Sequence, residues 1–277
     1  MKRVGFIDYF LDEFHANNYP GLIEKCSEGR YKVTCAYGHI DGPEGKMTSR
    51  AWSEKTGIPV YDSIQKVIDN SDALIVLSPD NPEMHEELCD LPLKSGKPVY
   101  VDKTFALTKK SAIKIFNNAD EHGTKCCSSS ALRFASELEQ INTDNVVKIY
   151  SEGPGNYDTY SIHQLEMIVA LMKKRAKRIM ALDEIDHPSL LIEFEDGRLA
   201  QMRQCSADQF KITVVDNERK SDNYLIQSDF FGLFIEKLIK FFDTGEILVP
   251  HEQTVDVIAL REIGEKAFQN PYQWLNL

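Results

Sequence analysis

The sequence predicts an α/β protein in two parts. Residues 1–133 form a doubly wound parallel sheet, and residues 134–277 form an α+β domain built on an open, mainly antiparallel sheet. Three observations predict this. Apolar runs alternate with helical periodicity as far as Arg133, which is the pattern of a parallel sheet with crossover helices. Two of these runs, Ala73–Leu77 and Val99–Val101, are separated by about twenty residues that include a helix-like segment, as in a parallel βαβ unit. After about Phe134 the alternation gives way to strands joined by turns. Among them is Glu195-Asp196-Gly197-Arg198, where Asp-Gly supplies the positive φ angles of a hairpin.

In chain order, Arg3–Asp8 reads as a first, central strand. A helix is expected from Tyr19-Pro20-Gly21, with proline in its first turn, to Glu28-Gly29, leaving Tyr9–Asn18 as a loop. Tyr31–Tyr37 alternates as a strand. Thr48–Lys55 is a helix stopped by Gly57, Val60-Tyr61 is a short extended piece, and Ser63–Asn70 is a helix. Thr108–His122 is amphipathic, with Ile113, Phe116 and Ala119 three apart and Gly123 closing it. Lys125–Ala131 is a further strand. In the second part, Asn145–Glu152 is a strand and Asn156–Lys174 contains a helix. Ser189–Phe194 and Leu199–Cys205 flank the hairpin, and Phe210–Val215 precedes a polar turn through Asn217. Asp229–Phe242 and Thr254–Phe268 are helices. The basic run Lys173–Arg178 reads as a solvated helix C-terminus, where cations suit the dipole.

The chain's 277 residues suffice for two such domains with full cores. A net charge of −11 argues against nucleic-acid and anionic-membrane partners, which require a basic surface. No segment approaches the roughly 20 apolar residues of a membrane span. Asp8, Asp12 and Glu13 interrupt the first apolar run, so no signal peptide is expected. Cys26, Cys35, Cys89, Cys126, Cys127 and Cys205 lack zinc or redox spacing and read as reduced thiols of a cytoplasmic protein.

Polar groups just past the carboxyl ends of parallel strands face the crevice where open α/β sheets bind ligands. Lys103, after Asp102, stands at such an end. Ser78, Pro79 and Asp80 break the chain after the preceding strand, and His85 follows on the helix-like segment. A dinucleotide fold places G-x-G-x-x-G in the first strand–helix turn, so that backbone approaches a pyrophosphate at a helix N-terminus. Here those positions read Asp8, Phe10 and Glu13. Two like charges about 4 Å apart repel by roughly 4 kcal/mol at an effective dielectric near 20. A helix N-terminus returns only about 0.3–2 kcal/mol. If either acid faces the phosphates, repulsion wins. The second strand ends Ala36-Tyr37-Gly38-His39 without an acid for an adenosine ribose, and Asp41 comes slightly late. A cation held by His15, His39, Asp8, Asp12 and His85 is the alternative use of this edge. Scattered solvated residues are the plainer reading, and no metal is expected.

The order Ser78-Pro79…His85, Gly96-Lys97-Pro98-Val99…Asp102-Lys103-Thr104, then Arg133, resembles the Gfo/Idh/MocA family of NAD(P)-dependent oxidoreductases. Ser161-Ile162-His163-Gln164-Leu165-Glu166 resembles that family's Gly-Ile-His-x-x-Asp. The resemblance implies an N-terminal Rossmann-type domain and NAD or NADP as cofactor. Asp8, Phe10, Ser78, Pro79, Asp80, His85, Asp102 and Lys103 would lie at the cofactor. It further implies a small-molecule substrate, a sugar, polyol or related hydroxy compound, and a homodimer or homotetramer through the open sheet. Lys103 would polarise or deprotonate the substrate hydroxyl, and His163 would act as partner or general base from a shared cleft. Glu166, three residues on along the same helical face, would join His163. Departures from the family are Thr159, where it often has an aspartate (Asp158 is one residue off), Asp102 for glutamate and Thr104 for proline. The other outcome is a non-catalytic descendant of the fold, binding a ligand or partner without a dinucleotide.

Overall fold

Strands buried on both faces read as unbroken apolar runs, and such runs build parallel sheets covered by helices. Val4, Phe6 and Ile7 are fully buried, as are Leu74, Ile75 and Val76. A computed structural model describes residues 1–182, 188–206 and 208–277. The chain divides into two compact units, the first made of Met1–Ser129 with Ile235–His251 and the second of Ser130–Phe234 with Glu252–Leu277.

The first unit runs β1 (Lys2–Asp8), α1 (Phe14–Cys26), β2 (Tyr31–Gly38), α2 (Ser49–Thr56), α3 (Ile64–Asp69), β3 (Ala73–Val76), α4 (His85–Leu88), α5 (Asp90–Leu93), β4 (Val99–Val101), α6 (Lys109–Glu121) and β5 (Cys126–Cys127). Its sheet has the order β2-β1-β3-β4-β5, and every neighbouring pair is parallel. The order reverses between β1 and β3, so the switch-point crevice lies beyond Asp8 and Val76. Thr48, Ser63 and Thr108 cap α2, α3 and α6 through their side-chain oxygens, as the sequence signals predict. Gly5 lets α3 lie close on β1, because a Cβ there would fall 2.5 Å from Val67 Cγ1 on α3 and 2.3 Å from Ser71 Oγ just beyond it. The returning segment is fastened by Asp243, which accepts from Lys2 Nζ at 3.1 Å, Arg30 Nη1 at 2.8 Å and the Tyr31 hydroxyl at 2.9 Å.

The first helix departs from expectation. It begins at Phe14, before the expected start at Tyr19, and Pro20 lies inside it. A glutamate caps it: Glu13 accepts from the backbone N–H groups of His15 and Ala16. Glutamate is absent from the usual cap residues, and Pro20 points by rule to a first turn, so both local signals mislead. The expected strand Lys125–Ala131 shortens to Cys126–Cys127.

The second unit comprises α7 (Ser136–Glu139), β6 (Val146–Gly153), α8 (Tyr157–Met172), β7 (Ala176–Ala181), β8 (Ser189–Phe194), β9 (Leu199–Gln204), β10 (Lys211–Asp216), β11 (Ser221–Leu225), α9 (Phe230–Thr244), α10 (His251–Ala267) and β12 (Leu275–Asn276). Ile235–Thr244 of α9 and His251, the first residue of α10, belong to the first unit. The sheet order is β11-β10-β6-β9-β8-β7-β12, antiparallel except for β6 beside β9. Gly197, at φ 83°, turns the expected hairpin. The basic run is not simply a helix end. Lys173 closes α8 in the left-handed conformation, and Lys177 and Arg178 then lie on β7 and pair with Glu193. No helix among the described residues is long and apolar enough to cross a membrane.

Candidate functional site

The first unit gathers acids at the carboxyl ends of its central strands. Asp8 ends β1 and Asp102 follows β4, each 1% exposed; Glu13 is 3% exposed and His15 6%. Four titratable groups so buried require mutual compensation. His15 Nδ1 lies 2.5 Å from Asp102 Oδ2 and 4.0 Å from Glu13 Oε2, and the Tyr19 ring stacks on the imidazole at 4.7 Å. The Tyr100 hydroxyl sits 3.1 Å from Asp102 Oδ1 and 2.7 Å from the Ser129 carbonyl oxygen.

The cluster sorts its protons unevenly. Burial works against ionising Asp102, but the His15 charge and hydrogen bond, with Lys103 adding to them, hold its carboxyl down at about 2. Burial pushes Glu13 up to about 7, against the opposing pull of His15 and the two capping N–H groups. Asp8 is raised well above the carboxylate range by burial and then by the Glu13 charge. Its Oδ2 has no hydrogen-bond partner among the described residues. Asp102 is therefore the acid that the cluster holds ionised, whereas burial favours the protonated forms of Asp8 and Glu13.

The other expected cofactor residues of this unit take distinct places. Phe10 is 9% exposed, folded into the turn after β1. Ser78 is buried at φ 77° and donates to the Asn81 carbonyl at 2.9 Å. Pro79 is buried beside it, whereas Asp80 is exposed. Lys103 is half-buried just past β4, next to Asp102. His85 is fully buried. Its Nδ1 lies 3.0 Å from the Thr104 carbonyl oxygen and 3.1 Å from that of Phe105, and its Nε2 faces the Leu77 carbonyl. It acts as a strut between the end of β3 and the Lys103–Thr104 segment. His85→Phe keeps an aromatic ring but removes the nitrogens facing those carbonyls, so unfolding free energy is expected to fall by about 2 kcal/mol or more. An unchanged urea midpoint would remove the strut.

The residues suggested for a cation are not gathered. His39 packs against Tyr9 and Tyr37, and Asp12 accepts from Met47 N and Asn17 Nδ2. Among the described residues no group of three or more His, Cys, Asp or Glu side chains is arranged for a metal ion. A wide hollow between α4, α5 and α6 is lined by Glu86, Asp90, Lys94 and Lys114. These are already joined as Lys94–Asp90 and Lys114–Glu86 pairs, so the hollow is not where chemistry is placed.

In the second unit, His163 and Glu166 on α8 meet at one residue that the sequence does not single out, Ser130. The Ser130 hydroxyl and His163 Nδ1 are 2.7 Å apart, and the Ser130 N–H donates to Glu166 Oε1 at 3.3 Å. Glu166 Oε2 lies 2.7 Å from Arg133 Nη1, and the same guanidinium reaches Gln253. Glu166 is 2% exposed, so its carboxylate is committed to an internal ion pair. It is linked to His163 through Ser130. Asp158 is exposed at the start of α8, and its backbone carbonyl accepts from Arg261 at 3.2 Å.

A dinucleotide is tested here by its pyrophosphate. The N–H groups of His15 and Ala16, which would meet a phosphate at the start of α1, are taken by Glu13. At the end of β2, Asp41 accepts from Ser49 N at 2.8 Å. The turn after β1 does not fit a pyrophosphate in the usual way.

Residues 26–130 match the model of the Gfo/Idh/MocA family, described as an oxidoreductase family with an NAD-binding Rossmann fold. The match begins at the last residue of α1, so β1 and the Asp8–Glu13 turn lie outside it. No curated protein matches the chain. Solved structures match over nearly all of it. A probable dehydrogenase from Thermotoga maritima is 14% identical over 99% of this chain and 98% of its own, with a TM-score of 0.80. A myo-inositol dehydrogenase from Corynebacterium glutamicum is 12% identical over 100% and 98%, also with a TM-score of 0.80. GenD2 from gentamicin A biosynthesis, solved in complex with NAD, is 12% identical over 100% and 97%, TM-score 0.80. Residues 26–130 thus match the Gfo/Idh/MocA oxidoreductase family, and the chain has the fold of these dehydrogenases.

Proposed function

We propose that the protein is an oxidoreductase acting on the CH–OH group of a sugar, polyol or related hydroxy compound, with NAD or NADP as coenzyme. The observation that carries this reading is the family match over residues 26–130, which contains the whole segment from Ser78 to Thr104. Lys103, beside the ionised Asp102, is assigned to the substrate oxygen. An ammonium there donates to a hydroxyl or carbonyl oxygen and stabilises charge developing on it. His163 is assigned to proton handling from the second unit, with Ser130 fixing its ring and Glu166 fixing Ser130. On this reading the coenzyme is held by contacts other than the N-terminus of α1, and no step is assigned to it.

A second reading is favoured by Glu13, whose carboxylate fills that terminus. It is a small-molecule-binding or partner protein on the same fold, taking no dinucleotide.

Titrating NADH and NADPH while following nicotinamide fluorescence separates the two. Saturation in the micromolar range, followed by turnover with a panel of sugars and polyols, is expected. Silence up to millimolar coenzyme would sink the first reading and leave the second. Where turnover is found, Lys103→Ala is expected to lower it about tenfold or more while coenzyme affinity stays within about twofold. Equal loss in both would remove the role given to Lys103.

A further inference from the structure

The residue at the third position of the turn after β1 does something a glycine does not. Glu13 is 3% exposed and turns its carboxylate inward onto the first N–H groups of α1, donated by His15 at 2.6 Å and by Ala16. The helix behind it is thirteen residues long, so its N-terminal field is fully developed. His15 Nδ1 lies 4.0 Å from the Glu13 carboxyl and 2.5 Å from Asp102, which fixes the imidazole. Asp8, at the first position of the turn, is a second buried acid, with an oxygen that no described residue satisfies. Phe10, at the second, puts a buried aromatic side chain where backbone would have to approach a ligand.

We propose that the Glu13 carboxyl group is a built-in cap that occupies the N-terminus of α1 in place of a bound phosphate, so that the crevice at the carboxyl end of β1 selects against phosphate. Any ligand that enters this end of the sheet is uncharged or cationic where a dinucleotide is doubly anionic. Glu13 is in this sense a specificity-determining residue, with His15 and Asp102 positioning it. The inference goes beyond the oxidoreductase reading and is compatible with a coenzyme held elsewhere on the fold.

The test uses the full chain and its Glu13→Ser and Asp8→Asn/Glu13→Ser variants. Serine remains a good cap while removing the charge and the length of the glutamate. Inorganic pyrophosphate and NADH are titrated into each by calorimetry, with circular dichroism to show that the fold is retained. E13S is expected to bind pyrophosphate about tenfold or more tightly than the natural protein, and the double variant more tightly again. Equal or weaker pyrophosphate binding by E13S overturns the inference. If E13S does not fold, hydrogen exchange of the natural protein decides instead. The His15 and Ala16 amides should be equally protected with and without pyrophosphate, and added protection overturns the inference. The NADH arm keeps the two readings apart. Saturation of the natural protein with no gain in E13S sinks the built-in cap and leaves the oxidoreductase. Silence in the natural protein with a gain in E13S does the reverse.

Discussion

Replacing Glu166 by alanine is expected to lower the unfolding free energy by about 3–5 kcal/mol, the range for a buried ion pair that loses one partner. The Arg133 side chain is only 9% exposed, and its Nη1 lies 2.7 Å from Glu166 Oε2. Water cannot fully re-solvate it when the carboxylate goes. The size comes from the stranded guanidinium rather than from the pair's net worth, which desolvation of both ions largely cancels. Glu166→Met combined with Arg133→Met should therefore recover most of the loss, because two apolar side chains replace two ions of similar volume. Urea unfolding with unchanged slope reads the difference directly. A drop below about 1 kcal/mol for E166A would mean the pair is solvated as surface pairs are. Because the Ser130 N–H also rests on Glu166, the same variant loosens the residue that holds His163.

The division between what sequence shows and hides follows the range of the interactions. Thr48, Ser63 and Thr108 cap their helices with oxygens three bonds from their own backbone, so a short window of sequence contains the whole interaction. The buried runs of β1, β3 and β4 are legible for the same reason. β7 was hidden because Lys177 and Arg178 imitate a helix end, and their partner Glu193 is on another strand. The acids at Asp8 and Glu13 were visible as a missing glycine fingerprint, but nothing near them in sequence says that Glu13 turns inward. That direction is fixed by the N–H groups of His15 and Ala16, with the His15 ring anchored by Asp102, nearly ninety residues on. His85 shows the opposite failure. A histidine beside a strand end suggests a crevice, yet its ring nitrogens face the carbonyls of Thr104, Phe105 and Leu77. Ser130 carries no local signal, being one of three consecutive serines.

Stability should fall as pH rises from about 5 to 8, and Asp8→Asn should remove a large part of that fall. The sign follows from proton counting. Glu13 has an ordinary value of 4.5 and a native value of about 7, so between the two the folded chain holds a proton that the unfolded chain has released. Unfolding then releases protons, and its free energy decreases with pH. The contribution is fully present below the unfolded value and is lost as pH climbs through the folded one. Asp8 is raised in the same direction by burial and by the Glu13 charge, so it steepens the decline. Asp102 acts oppositely, because His15 overcomes burial and holds it at about 2. Its stabilising contribution exists above 3.8 and disappears only in stronger acid. Asparagine imitates the protonated form of Asp8, with an amide N–H₂ where the acid has its O–H, and it cannot ionise. The D8N variant should match the natural protein at pH 5 and exceed it at pH 8.5. Thermal melts at the two pH values decide the matter. Parallel curves for the two proteins would show that Asp8 is not the neutral, buried acid that its place at the end of β1 requires.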